Sequence, residues 1–181
     1  MTKREILATQ ILDLLASQTV LIFTRGKTRR RAIHEHCDKV WFEMNRKVLF
    51  ATLDKLKLRG YVEVVKGKDS YKMAMTRDGA SYRLKRMYNA LTLNQEKKWD
   101  KKWRMVLFDI PEPLKPARDA LRTKLKKLGF KEFQKSVFVF PYPCEEEVNF
   151  VLNYHEISEY VYLLESRIQP DNKLKEKFGL K

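Results

Sequence analysis

Residues 103–141 read WRMVLFDIPEPLKPARDALRTKLKKLGFKEFQKSVFVFP, and this stretch decides the fold of the second half of the chain. Its opening apolar run predicts a β-strand that ends near Asp109, because Pro111 has no amide proton to donate to a neighbouring strand. Leucines spaced by three and four residues then predict an amphipathic helix that stops at Gly129. Two short β-rich runs follow. The predicted order is therefore strand, helix, strand, strand.

The remainder of the second half completes this pattern with one more helix and one more strand. We predict strands over residues 102–110, 130–134, 136–140 and 160–167, and helices over residues 113–128 and 145–154. The order β-α-β-β-α-β is typical of a ferredoxin-like sandwich. Alternation along Phe138, Phe140 and Tyr142 puts these side chains on one sheet face, which indicates core packing, and Phe133 is predicted to be a core residue as well. The outer face of the first helix is predicted to carry Lys115, Arg118, Arg122, Lys124, Lys126 and Lys127.

The first half of the chain has the pattern of a winged helix-turn-helix. Apolar spacing predicts helices over residues 2–17, 28–41 and 46–58. Two short runs around a glycine-containing turn, at 61–65 and 71–75, predict a β-hairpin, and a further helix follows it. The secondary structure of the apolar run 20–23 stays open.

The predicted fold class is therefore α+β, with two domains in sequence. The predicted boundaries are a winged helix-turn-helix DNA-binding domain over residues 1–93, a polar linker over 94–101, a ferredoxin-like domain over 102–168 and a flexible tail over 169–181.

The charge of the chain favours a polyanionic partner. The formal net charge is +15, from 38 Lys and Arg against 23 Asp and Glu, and residues 1–100 hold 22 of these cations against 11 acids. Double-stranded DNA is the partner that such an excess predicts first. The third helix would present Arg46, Lys47 and Lys55 to the major groove, since a helix N-terminus also attracts phosphate. The predicted phosphate contacts are Arg29, Arg30, Arg31, Lys66 and Lys68.

Other functional classes find little support in the sequence. No apolar run approaches the roughly 18 residues that a membrane span needs. Cys37 and Cys144 are too few for a disulfide framework or a zinc site, and no glycine-rich loop that could cradle a phosphate is present. We expect a cytoplasmic protein that does not contact a membrane and needs no cofactor.

The motifs of the second half resemble a known family. The segments WRMVLFDIPE, LGF and QKSVFVFP, together with Arg118 and Arg122, resemble the central domain of the phenylacetate-catabolism repressor (PaaX) family. The same segment is similar to CRISPR-associated protein two, the small subunit of CRISPR adaptation complexes. The resemblance implies a winged helix followed by a ferredoxin-like domain that pairs two copies into a homodimer. It leaves the small-molecule effector open.

The resemblance also gives Asp109 a possible chemical role. The adaptation subunit carries a metal-binding aspartate at the end of its first strand, and Asp109 occupies that place. Two such carboxylates would meet across a homodimer, where Mg²⁺ would offset their repulsion. The simpler interpretation, which we favour, is a turn carboxylate without catalytic function.

Three functional hypotheses follow. The first is a sequence-specific transcriptional regulator, a repressor that binds operator DNA as a homodimer. The alternative is an enzyme, a Mg²⁺-dependent endonuclease or adaptation-type subunit with Asp109 as its catalytic metal ligand. The third is a nucleoid or RNA-binding accessory protein that binds through charge without choosing a sequence.

Overall fold

A computed structural model of the chain describes residues 3–17, 21–24, 46–66, 70–94 and 99–180. The chain divides into two compact units, Met1–Met87 and Tyr88–Lys181. Each unit combines helices with an antiparallel sheet, which confirms the predicted α+β class. No helix within the described ranges is both long and apolar enough to cross a membrane.

The first unit contains three described helices and a three-stranded sheet. Its strands follow the order β1-β3-β2, and both neighbouring pairs are antiparallel. The run left open in the sequence is strand β1, whose partner β3 lies about fifty residues further along the chain. The predicted second helix, residues 28–41, falls outside the described residues. The elements are α1 (Lys3–Ala16), β1 (Leu21–Thr24), α2 (Arg46–Leu58), β2 (Val62–Lys66), β3 (Ser70–Met75) and α3 (Arg77–Ala90).

The core of the first unit is built by α1, α2 and the hairpin β2–β3. Ile11 and Leu12 of α1 are fully buried, and Leu49 and Leu53 of α2 pack against them. Burial of one such side chain contributes about 1.5–3 kcal/mol. The leucine spacing that predicted α2 is thus the spacing of its buried face.

A close contact joins the end of α2 to the start of α3. The hydroxyl of Thr76 donates to the carbonyl of Gly60 at 2.6 Å and accepts from the amide of Gly79 at 3.1 Å, so Thr76 caps α3. A Cβ on Gly79 would lie 2.0 Å from the Tyr61 carbonyl oxygen. Only glycine therefore fits position 79.

The second unit has the predicted β-α-β-β-α-β order, followed by one more helix. Its four strands follow the order β5-β6-β4-β7, and every neighbouring pair is antiparallel. The elements are β4 (Trp103–Phe108), α4 (Lys115–Lys127), β5 (Lys131–Gln134), β6 (Val137–Phe140), α5 (Glu145–Tyr154), β7 (Val161–Ser166) and α6 (Asn172–Phe178), with short 3-10 helices at Glu112–Leu114 and Ser158–Tyr160.

One face of this sheet packs against α4 and α5. Val106 and Phe108 of β4 and Phe138 of β6 are buried there against leucines of α4. Two predictions on this region are wrong. Lys124 does not belong to the outer face of α4, because its side chain is 94 % buried within the leucine stripe, and Phe133 is not a core residue, because it lies on edge strand β5 and is 43 % exposed.

The opposite face of the sheet is partly covered by the C-terminal segment. Leu174 of α6 is buried against Trp103 and Val139, and Phe178 lies 5.6 Å from Trp103 between ring centres. The prediction of a flexible tail over residues 169–181 is therefore wrong for residues 172–178. A helix forms there because two apolar side chains four residues apart find an apolar sheet face.

A buried arginine fixes the chain just before β4. The guanidinium of Arg104 donates two hydrogen bonds to the Asp100 carboxylate, at 2.7 and 2.6 Å, and a third to the Pro141 carbonyl at 3.0 Å. The hydrogen bonds from Arg104 lower the pKa of Asp100 to about 2. Asp100 therefore stays ionised throughout the neutral range.

Candidate nucleic-acid interface

Helix α2 exposes Lys47 and Lys55, together with Asp54, away from its buried leucines. Because Leu49, Leu53 and Leu56 point inward, Lys47 and Lys55 fall on the exposed side, eight residues and about two turns apart. The exposed Ala51 lies between them, so a flat approach to a ligand is not blocked by a large side chain. Arg46 is the first residue of the helix, at the end where the macrodipole favours an anion.

The hairpin β2–β3 contributes further cations. Lys66 ends β2 and is exposed, and Lys72 of β3 is exposed as well. The sequence analysis missed Lys72, although alternation with the buried Met73 places it on the outer side of the strand. Edge strand β2 also exposes Val64 and Val65.

The predicted DNA contacts are distributed between described and undescribed parts of the chain. The structure brings Lys47 and Lys55 onto one helix face and puts Lys66 at the end of a strand in the same unit. Arg29, Arg30, Arg31 and Lys68 lie outside the described residues. The predicted DNA contacts that lie within the described residues therefore belong to α2 and to strand β2.

Helix α3 is anchored to α1 in the same unit. Arg83 donates to the Asp13 carboxylate at 2.6 Å, and the rings of Tyr61 and Tyr82 stack at 4.4 Å. The Arg83–Asp13 pair is partly buried, so the two helices hold a defined position around the core on which α2 rests. A rigid support of this kind lowers the entropic cost of ligand binding.

Asp109 directly follows the last residue of β4 and is exposed. Its backbone amide donates to the Tyr160 carbonyl at 3.0 Å. Across the described ranges, no three His, Cys, Asp or Glu side chains converge closely enough to hold a metal ion.

A cluster of titratable side chains surrounds Tyr88 in the second unit. The Tyr88 hydroxyl lies 3.0 Å from Nε2 of His155, and its ring stacks on Tyr154 at 4.3 Å. Burial lowers the pKa of His155 and, together with Lys127, that of Lys124.

Burial also raises the pKa of the Cys144 thiol to about 12, so this cysteine is not a nucleophile at neutral pH.

The second unit is similar to a known domain family. Residues 96–177 match the family model described as the PaaX protein central Cas2-like domain, which confirms the resemblance read from the sequence over this range. The chain is also similar to an uncharacterized protein, Rv0674, from Mycobacterium tuberculosis, with 18% identity and a TM-score of 0.34. The match covers 75% of this chain and 53% of that one, so the chain spans about half the length of that protein. No curated protein matches the chain.

Proposed function

We propose, on the premise that residues 96–177 form the central Cas2-like domain of a PaaX-like regulator, that this protein is a DNA-binding transcriptional repressor. Its ligand would be double-stranded operator DNA, bound through the first unit as a winged helix-turn-helix. Repression would follow from occupancy of the operator in the cytoplasm. The observation that carries the proposal is that Lys47 and Lys55 of α2 are exposed, away from the buried leucines of that helix.

The recognition helix in this proposal is α2. Its N-terminal turn, with Arg46 and Lys47, would enter the major groove, and Lys55 would follow two turns later. Lys66 and Lys68 of the hairpin would hold phosphates beside the groove, as would Arg29, Arg30 and Arg31. Phosphate contacts supply affinity, whereas the side chains of α2 supply the choice of sequence.

Two copies would pair through the second unit. Tyr162 and Leu164 of edge strand β7 are 65 % and 49 % exposed, and they alternate onto the same sheet face as Leu107 of β4. Large apolar side chains exposed together on one sheet face support an interface. A two-fold pair of this kind would space two α2 helices over the half-sites of a pseudo-palindromic operator.

Selection from a pool of random duplex oligonucleotides tests the proposal on the full chain. A repressor of this kind enriches dyad-symmetric sites, and it keeps those sites occupied when bulk DNA is added in excess. An unspecific accessory protein enriches no site and is displaced by bulk DNA. If no sequence is enriched, the proposal of a sequence-specific regulator is wrong.

The endonuclease alternative rests on one observation, the exposed carboxylate of Asp109 immediately after β4. Incubation of the same oligonucleotides with Mg²⁺ or Mn²⁺ separates it from the repressor. An enzyme would shorten the duplexes, and Asp109→Asn would abolish that cleavage. Intact duplexes after incubation with wild type over a range of pH would remove the alternative.

A further inference from the structure

The second unit has its own separation of charge. Residues 101–135 contain eleven Lys and Arg against four Asp and Glu, whereas residues 136–166 contain no Lys or Arg and six Glu. The basic segment includes α4 and β5, and the acidic one includes α5 and β7. The cations of α4 and β5 lie toward the β5 edge of the sheet, whereas Lys102 and Arg104, at β4, pair with Glu165 of the opposite edge strand β7.

Four cationic side chains follow one line along α4, which we call the α4 stripe: Lys115, Arg118, Arg122 and Lys126. Their spacings of three and four residues put them on one side of the helix. At a rise of 1.5 Å per residue, the stripe is about 16 Å long. A strand of duplex DNA carries one phosphate per roughly 3.4 Å of helix axis, so the stripe matches the length of four or five phosphates.

Two glutamates partly neutralise the α4 stripe, and each is shared by two cations. Glu112 accepts from Arg118 at 2.8 Å and lies 3.7 Å from Lys115, while Glu132 of β5 contacts Arg122 at 2.7 Å and Lys126 at 3.0 Å. Hydrogen bonds lower the pKa of both carboxylates, from Arg118 on Glu112 and from Lys126 and Arg122 on Glu132. The group therefore keeps two positive charges in excess.

The two arginines of the stripe are already positioned. Arg118 also donates to the Ile110 carbonyl at 3.0 Å, and Arg122 donates to the Lys135 carbonyl in the turn between β5 and β6. A guanidinium has five N–H donors, so donors remain for a ligand after these contacts. Because the side chains are held before binding, little conformational entropy is lost when an anion arrives.

We propose that the α4 stripe, extended by the exposed Lys135, binds the phosphate backbone of duplex DNA. This inference rests on the proposed function, since it adds a second contact with the same class of ligand, made by the PaaX-type domain itself. The contact is independent of sequence because only phosphates are met. It adds affinity to operator DNA and to random DNA alike.

The test replaces the two lysines of the stripe in the full chain, Lys115→Gln with Lys126→Gln. Their side chains are 58% and 54% exposed, and Glu112 and Glu132 keep their arginine partners, so the fold is retained. The matched control is Lys173→Gln with Lys177→Gln, two exposed lysines of α6 in the same unit. Affinity for duplex DNA is measured against salt concentration. Two lost phosphate contacts reduce the slope of log K against log salt by about 1.8, and the control leaves it unchanged.

The outcomes separate this inference from the proposed function. If an operator is selected and the stripe variant has the same slope of log K against log salt as the control, the inference is wrong and the proposed repressor function is retained. If no operator is selected but the stripe variant binds random duplex DNA more weakly than the control does, the proposed repressor function is wrong and the inference is supported. Absence of duplex binding by the wild-type chain overturns both.

Discussion

The amine of Lys124 donates a hydrogen bond to the backbone carbonyl of Tyr88 and lies 4.6 Å from the centre of the Tyr88 ring. Helix α3 ends at Ala90, so this carbonyl is one of the last four of the helix, which have no partner within it. Tyr88 begins the second unit, so within that unit the buried lysine caps this carbonyl, and its positive charge also complements the carbonyl dipole.

Lys124→Met keeps the unbranched chain but removes the donor, which leaves the partly buried Tyr88 carbonyl without this hydrogen bond. We expect the free energy of unfolding to fall by about 1–3 kcal/mol, measured by chemical denaturation. The control is Lys127→Met on the exposed side of α4, which should change stability by less than about 0.5 kcal/mol. Equal effects of the two substitutions would contradict the capping role.

Gly79→Ala should destabilise the first unit. The added Cβ would meet the Tyr61 carbonyl oxygen at 2.0 Å, so α3 must move away from the end of α2. Overpacking of this kind costs about 3 kcal/mol, and thermal unfolding should report it. Ser81→Ala, at an exposed site on the same helix, serves as the control and should be nearly neutral. A variant as stable as wild type would show that the contact is not tight.

Lys47→Gln with Lys55→Gln should weaken DNA binding by the full chain. Loss of two phosphate or base contacts lowers the salt slope of binding by up to about 1.8, and it should also relax the choice of sequence. Fluorescence titration with a selected operator and with a random duplex measures both effects. The α6 lysine pair Lys173→Gln with Lys177→Gln carries the same charge change and should leave both properties intact.

Acidification should destabilise the protein through His155. Burial lowers the pKa of this side chain, so the unfolded chain takes up the proton before the folded one does. The stability from neutral His155 is complete above its ordinary pKa of about 6.5 and is lost as the pH falls below that value toward the folded pKa. Denaturation of wild type and His155→Gln between neutral and mildly acidic pH should show a smaller pH dependence for the variant. Parallel pH profiles would argue against this assignment.

Leu164→Arg should separate the proposed homodimer. An arginine on the exposed apolar face of β7 would lose its hydration when two copies pair. This desolvation costs more free energy than apolar contact at that position contributes to the dimer. Light scattering across a concentration series measures the oligomeric state. Asn149→Arg, on the exposed side of α5, adds the same charge elsewhere and should not change it. A monomeric wild type would refute this interface.

Local pattern was sufficient for much of the fold, and tertiary contacts explain the failures. The helices and strands of the second unit follow from periodicity, and the exposed side of α2 follows from its leucines. Lys124 falls between Leu121 and Leu125 on the buried side of α4. The sequence predicted an exposed side chain because lysines are rarely buried, and the hydrogen-bond partner that permits burial is supplied only by the fold. Strand β1 pairs with a distant strand, and α6 is too short to form without the sheet beneath it. The ion pairs of Arg122 and Lys126 with Glu132 likewise depend on how a helix meets a strand.

The cations of α4 and β5 and the glutamates of α5 make the charge distribution of the second unit uneven. In the electric field of a polyanion such as DNA, an uneven charge distribution exerts a torque on the protein before contact. The protein is thereby oriented with the cations of α4 and β5 toward the polyanion. Productive collisions become more frequent, and this gain disappears once dissolved ions shorten the reach of the field to about 10 Å or less. In the proposed complex with DNA, the placement of these acids would thus change the speed of encounter, even where the carboxylates make no contact with the duplex.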